Sequence, residues 1–523
     1  MSGDPNQGWK PAYNPWLIAI TVTLAAFMEI LDTTIVNVAL PYIAGSLAAS
    51  NDEATYTLTA YLVANGIVLT IAGWLSDTIG RKRYFLICIG MFTVSLFLCG
   101  ISQSLGQIIV FRLMQGFFGG GLQPSQQAII LDTFPPAKRG AAFGVTAVAT
   151  VVAPVLGPTL GGYLVEHSTW RWIFFINVPV GIFTFFVNAY LVQDPPDEKK
   201  KRARGLDYVG LSLIVIGIGC MQVMIDRGEV NGWFSSSFIR IMAVIAFLGI
   251  FGAICWLLIA DEPVVDLNVF KDRNFSVGCL LIGAVGALLY GGSVLTPNFA
   301  QQVLGYTALD SGFILSPGGI AVIFLIPVVA VAMKFVQTRY IIMFGFAFTG
   351  AAMFYSSFLA PDVDFRTLVW MRTLQTAPLA FLFVPISTIA YLTLPDRYRS
   401  DGSALFSMFR NVFGSVGISL STAAVTERTQ ADQAHLSSFM TPLRHGYNLL
   451  IQESEHTLRS LGRAASLVHQ QAVAHTYQTF TKQAQVLAYG NVYQYAAVLA
   501  FLVVPLCLLI SAKTAQGEGG GGH

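Results

Sequence analysis

Apolar residues gather along this chain in long blocks, one after another, separated by short polar stretches. The blocks lie near 16–40, 55–76, 84–102, 107–131, 141–165, 171–192, 207–226, 238–260, 276–300, 311–333, 339–359, 366–392, 403–425 and 490–511. A helix needs about 20 apolar residues to cross the roughly 30 Å hydrocarbon core of a bilayer. Each block is therefore predicted to be a membrane-spanning helix, which makes fourteen. The fold class is all-α and polytopic. One stretch breaks the rhythm: residues 426–489, between the last two blocks, read as helical, amphipathic and moderately charged.

Lysine and arginine set the orientation, because they are retained on the cytoplasmic side. With the N-terminus inside, the cytoplasmic loops hold Arg81, Lys82 and Arg83, then Lys138 and Arg139, the cluster KKKRAR at 199–204, Lys271 and Arg273, Lys334 and Arg339, and Arg397 and Arg399. The opposite loops hold few: Arg171, Arg227, Arg240 and Arg366. Both termini are expected in the cytoplasm, and 426–489 outside it. The first apolar run is too long for the core of a cleavable leader and reads as a signal anchor.

Composition agrees. Of 523 residues, 54% are hydrophobic and only 11% charged, where a soluble protein carries about a quarter. A net charge of +2 gives no reason to expect nucleic acid as a partner. Cys88, Cys99, Cys220, Cys255, Cys279 and Cys507 all fall in apolar blocks without CxxC spacing, so they read as small buried hydrophobes. His435, His445, His456, His469 and His475 lack a tight ligand spacing, and no metal is expected. No GxxxxGK[ST], GxSxG or HExxH sequence is present, so neither ATP hydrolysis nor an enzymatic or cofactor-bearing site is predicted.

An internal repeat underlies the blocks. VFRLMQG at 110–116 matches WMRTLQT at 370–376, pairing Arg112 with Arg372 and Gln115 with Gln375. The same offset of 260 aligns Pro135 and Arg139 with Pro395 and Arg399. Two six-helix halves, 16–192 and 276–511, with two helices inserted at 207–260, account for that offset. Residues 1–15, 193–206 and 512–523 are then an N-terminal segment, a basic loop and a Gly-rich tail. Repeated halves that rock about a central site are a common transporter plan.

Two carboxylates stand inside the first block. Glu29 and Asp32 are at i and i+3, on one helical face. A charged group at the bilayer centre costs about 2.5–3.5 kcal/mol on insertion scales, so that face must look into the bundle or a wet cavity. Burial and mutual repulsion penalise the charged forms, so such acids can take up and release a proton. They can equally form a hydrogen-bonded lock between helices. Arg112, in the fourth block, either snorkels outward or faces the cavity as a counter-charge to Asp32. Arg372 and Arg410 are further cations within blocks, Arg410 with no evident partner.

GWLSDTIGRKR at 73–83 follows the spacing GxLxDxxGRK and resembles the signature loop of the major facilitator superfamily. LDTTIVNVALP (31–41), FRLMQG (111–116), APVLGPTLGG (153–162) and WRWIFFINVPVG (170–181) are similar to motifs of its fourteen-span drug:proton antiporters, and the chain resembles EmrB-type multidrug exporters. The resemblance covers nearly the whole chain. It implies a multi-pass protein of the bacterial inner membrane that exports hydrophobic toxic compounds by alternating access, driven by protons. It also implies a tripartite pump completed by a periplasmic adaptor and an outer-membrane channel.

The resemblance and the residues together suggest site roles. Asp32, in the first-span motif, would couple the proton with Arg112; Glu29 joins them by its place on the same face, since the motif does not demand an acid there. Asp77, Arg81 and Asp132 would latch the halves, with Gly73 and Gly80 permitting close packing and a tight turn. Pro154, Gly157 and Pro158 would give the fifth helix a bent, closely packed interface. They could also serve static packing, and the three charges could act independently. Asn37, Gln123, Gln126, Gln127, Tyr290 and Asn298 are the polar candidates for the substrate lining. A nutrient importer is the alternative function, which the GP motif and fourteen spans disfavour. A non-transporting membrane sensor is a more distant one.

Overall fold

The computed structural model describes residues 11–194, 207–438, 440–441, 444–461 and 465–510. Residues 1–10, the KKKRAR cluster and the tail at 512–523 lie outside them. Among the described residues there is no strand. The first half comprises α1 (Pro15–Ser46), α2 (Asn51–Ile79), α3 (Arg81–Ile101), α4 (Leu105–Gly119), α5 (Leu122–Thr133), α6 (Pro136–His167), α7 (Trp172–Phe175) and α8 (Asn177–Leu191). Helices α9 (Tyr208–Arg227) and α10 (Ser237–Ile259) follow. The second half runs through α11 (Arg273–Asn298), α12 (Ala308–Ala332), α13 (Thr338–Ser356), α14 (Phe365–Thr376), α15 (Ala380–Ala390), α16 (Arg399–Ser437), α17 (His445–Ser460) and α18 (Ala465–Val503).

Among the described residues, eleven helical stretches are long and apolar enough to cross a membrane. The blocks at 107–131, 339–359 and 403–425 are helical too, in α4–α5, α13 and α16, so the helices accommodate the fourteen expected spans. Local sequence explains where they start. Ser50 and Glu53 form a reciprocal capping box ahead of α2, Thr307 and Asp310 another ahead of α12, and Asp272 caps α11 at Phe275 N.

Two features differ from the block pattern. The block at 107–131 is broken between α4 and α5 at Gly120 and Gly121. Those glycines let neighbours come close: a Cβ on Gly120 would stand 2.7 Å from Asn65 O, and one on Gly121 2.6 Å from Cys88 Sγ. The matching block of the second half breaks at the corresponding place, through a 3-10 turn at Ala377–Leu379. Second, 426–489 is no separate connection. Helix α16 is 39 residues long, about 58 Å, and so outruns the bilayer core. No glycine or proline lies between Gly417 and its end at Ser437 to stop it earlier. Helix α18 does the same in reverse, and α17 packs on it.

One apolar core runs through both halves, and a smaller cluster around Phe299 and Tyr489 lies in the second. The halves meet through α6 against α12 and α15, and through α16 against α2 and α5. The α9–α10 hairpin is held by two glycines, since a Cβ on Gly249 would stand 2.6 Å from Gly217 Cα. Helix α9 lies against both α2 and α16, while α10 turns exposed apolar residues such as Phe247 and Phe251 outward, as a lipid-facing helix would. The turns bearing Arg81, Arg139 and Arg399 meet at one end of the bundle, here called the basic end.

Candidate transport site and gate

Helix α1 carries Glu29 and Asp32 into the interior, at 2% and 0% exposure. Asp32 Oδ2 accepts from Arg112 Nη1 at 2.6 Å. That arginine is fully buried and does not snorkel. Its Nη1 also donates to Gln115 Oε1 at 2.8 Å, its Nε reaches Thr57 O at 3.4 Å, and its guanidinium lies over the Tyr61 ring at 4.6 Å. The ion pair rests on a single hydrogen bond, because Asp32 Oδ1 and Arg112 Nη2 are buried without hydrogen-bond partners among the described residues.

Glu29 is held differently. Tyr61 Oη and Asn65 Nδ2 donate to its Oε1, both at 3.0 Å, and Gln123 Nε2 donates to its Oε2. These donors are neutral. Of two carboxylates one turn apart, one is charge-paired and the other is solvated by amides and a phenol. Tyr61 and Asn65 were not among the sequence candidates. Their i, i+4 spacing on an apolar helix was the available signal.

Helix α6 presses against this part of α1. Gly157 sits against Thr34, and a Cβ on Gly161 would stand 3.0 Å from Ile35 O. Pro154 and Pro158 lie inside the same helix, each without a backbone donor. Thr159 Oγ1 and Ser316 Oγ, 3.4 Å apart, carry the contact on to the second half.

The basic end holds the second constellation. Arg81 is ion-paired with Asp132, and its Nη2 donates to Ser400 Oγ at 3.0 Å. Ser400 in turn donates to Asp77 Oδ1 at 2.7 Å, and Arg399 Nη1 reaches Asp132 Oδ1 at 3.4 Å. The three charges expected from the loop thus come together, and Ser400 and Arg399 tie them to the second half. Arg399 was visible as the repeat partner of Arg139; nothing marked Ser400. Gly73 faces the same junction, where a Cβ would stand 2.8 Å from Asp401 Oδ1 and 3.0 Å from the Asp401 backbone nitrogen. Gly80 has φ +95°, a left-handed turn that a side chain would strain.

Of the lining candidates, the glutamines are engaged in holding helices. Gln123 serves Glu29; Gln126 donates to Thr146 Oγ1 at 2.6 Å; Gln127 accepts from Tyr391 Oη at 2.9 Å across the halves. Asn37 is exposed, and Tyr290 and Asn298 are half-buried. The structure does not gather these six residues around one cavity.

A buried acid–base centre in one half and an inter-half charge cluster at the basic end fit one family, and comparison decides it. The model of the Major Facilitator Superfamily matches residues 22–418. The chain belongs to the major facilitator superfamily. It is 36% identical over 99% of both chains to the multidrug export protein EmrB of Escherichia coli (strain K12). It is 33% identical to the fatty acid resistance protein FarB of Neisseria gonorrhoeae, over 98% of this chain and 99% of that one. Among solved structures, the human organic anion transporter MFSD10 (TETRAN) aligns with a TM-score of 0.56, over 93% of this chain and 100% of that one. At 12% identity, that likeness speaks for the fold alone. Major facilitators are multi-pass membrane transporters, and the helices described above are of that kind.

Proposed function

We propose that this protein is a multidrug efflux transporter of the inner membrane, exporting hydrophobic compounds in exchange for protons by alternating access. The observation that carries the reading is the fully buried Asp32–Arg112 pair, held by a single hydrogen bond at 2.6 Å. A proton added to Asp32 removes the attraction to Arg112, so protonation and the packing of α1 against α4 are linked. Glu29, with neutral donors only, is the second proton-bearing candidate. The basic end is the cytoplasmic face by the distribution of lysine and arginine. Its closed charge cluster makes this the state whose cavity is shut toward the cytoplasm. Homology to multidrug and fatty-acid resistance proteins supports export of lipophilic molecules rather than nutrient import. The helices extending from α16 and α18 are the surface offered to a periplasmic adaptor, which an outer-membrane channel would complete.

The test is proton movement in proteoliposomes loaded with ethidium. Wild-type protein should couple proton entry to ethidium exit, and Asp32→Asn should insert normally while losing the coupling. Ethidium uptake together with protons would establish the importer reading instead.

A further inference from the structure

The second half contains a buried cation that the coupling pair does not use. Arg410 on α16 is 2% exposed, and its Nε and Nη2 are buried without hydrogen-bond partners among the described residues. Ser407, one turn earlier on the same face and fully buried, also has an unpartnered hydroxyl. Arg112 meets Asp32, and Arg372 meets Gln375 at 3.1 Å, each leaving one guanidinium nitrogen without a hydrogen-bond partner among the described residues where Arg410 leaves two. A guanidinium with vacant donors in low dielectric is expensive unless an acceptor reaches it.

The surroundings indicate the acceptor. Nε–H and Nη2–H form one edge of the guanidinium fork, spaced to meet the two oxygens of a carboxylate side-on. Helix α16, which bears Arg410, packs against α2 and α5 of the first half and against α11 of the second, so it lies at the junction of the halves. Gly414, one turn beyond Arg410, lets the Tyr290 ring pack directly against α16. Tyr391 extends the wall, with its ring 5.6 Å from Phe143 and 5.4 Å from Phe406. A charged edge beside aromatic rings matches a molecule with an acidic end and a flat apolar body.

We infer that Arg410, with Ser407 beside it, is the seat for the carboxylate of a lipophilic organic acid. The inference rests on the export reading and adds to it a binding group and a ligand class.

The test uses 1-pyrenebutyrate, its methyl ester and acetate, with the purified protein in lipid nanodiscs and binding followed by pyrene fluorescence. Wild-type protein should bind the acid at least about tenfold more tightly than the ester, the discrimination expected of a charge-assisted bidentate contact. Acetate should compete only at far higher concentration. Arg410→Gln should abolish the preference while leaving ester affinity within about twofold, and Arg410→Lys should keep part of it. Equal binding of acid and ester by the wild type would overturn the assignment without recourse to any variant. So would an equal loss of both in Arg410→Gln. Competition by acetate as effective as that of pyrenebutyrate would reduce the site to one for any small anion and overturn it too. Ethidium export, measured in parallel, separates the two claims: its absence removes the export reading and leaves the acid-over-ester preference to be judged by itself.

Discussion

Gly292 stands against Arg372, so close that a Cβ on the glycine would lie 2.9 Å from the arginine Nη1. Offset by 260 positions, Gly292 is the counterpart of Asp32, and Arg372 that of Arg112. Both arginines keep the same hook, Nη1 to the glutamine three residues on, at 2.8 and 3.1 Å. The repeat has preserved the cation and its helper in each half and placed an acid beside only one. On the proposed reading, proton chemistry belongs to the first half, and the second retains the scaffold.

Filling that vacancy tests the relationship. Gly292→Asp should be tolerated, because the new carboxylate meets a cation and the guanidinium end of Arg372 can shift. Gly292→Leu adds volume with no compensating charge and should destabilise by about 1–3 kcal/mol, as overpacking does. Thermal unfolding in detergent reads the difference. The idea fails if Asp proves as damaging as Leu.

Asp32→Asn leaves Arg112 buried and uncompensated. Breaking such a pair costs about 3–5 kcal/mol, so the variant should melt well below the wild type. Asp32→Asn combined with Arg112→Gln should regain most of that stability and none of the proton coupling. If the double variant stays as unstable as the single one, lost pairing is not the reason for the loss.

Closure at the basic end depends on Gly73. Its Cβ position is occupied by Asp401 and Ser400 of the second half, with backbone atoms at 3.0 Å, so a valine cannot be accommodated by side-chain movement alone. Gly73→Val should hold the halves apart there and reduce efflux at least about tenfold while expression persists. Cysteines placed at Ser76 and Ser403 should then cross-link in the wild-type background and fail to do so with valine present. Efficient cross-linking in Gly73→Val would show the junction to be more yielding than its packing implies.

Much of the architecture was legible in the pattern of apolar blocks, because a bilayer imposes one length on every span. The break at Gly120–Gly121 was not, since it arises from helices approaching that stretch rather than from the stretch itself. Of the site, Glu29, Asp32 and Arg112 stood out as charges where charge is costly. Ser400 did not, because a serine near a helix start is ordinary in sequence and becomes a link only when Asp77 and Arg81 arrive from the other half. The glutamines show the reverse: polar residues in an apolar block looked available for substrate, yet their partners Glu29, Thr146 and Tyr391 lie far away in sequence.

The inserted α9 gives a last prediction. Its outer end is tied to both halves at once. Toward α2, Thr59 donates to Asp226, and Arg227 Nη1 donates to Thr55 Oγ1 at 2.5 Å. Toward α16, Gln222 donates to Ser415 Oγ at 3.0 Å, and Ser419 donates to Ile225 O at 2.5 Å. Away from the basic end, α9 thus fills the side of the bundle between the two halves. If the halves rock, α9 must release one set of these bonds in every cycle. Gln222→Cys with Ser415→Cys, joined by a short reducible cross-linker, should therefore reduce transport at least about tenfold, and reduction should restore it. The paired control is Asp226→Cys with Thr59→Cys, joined in the same way. Full transport with both pairs linked would mean that α9 bends with the halves and that neither attachment opens.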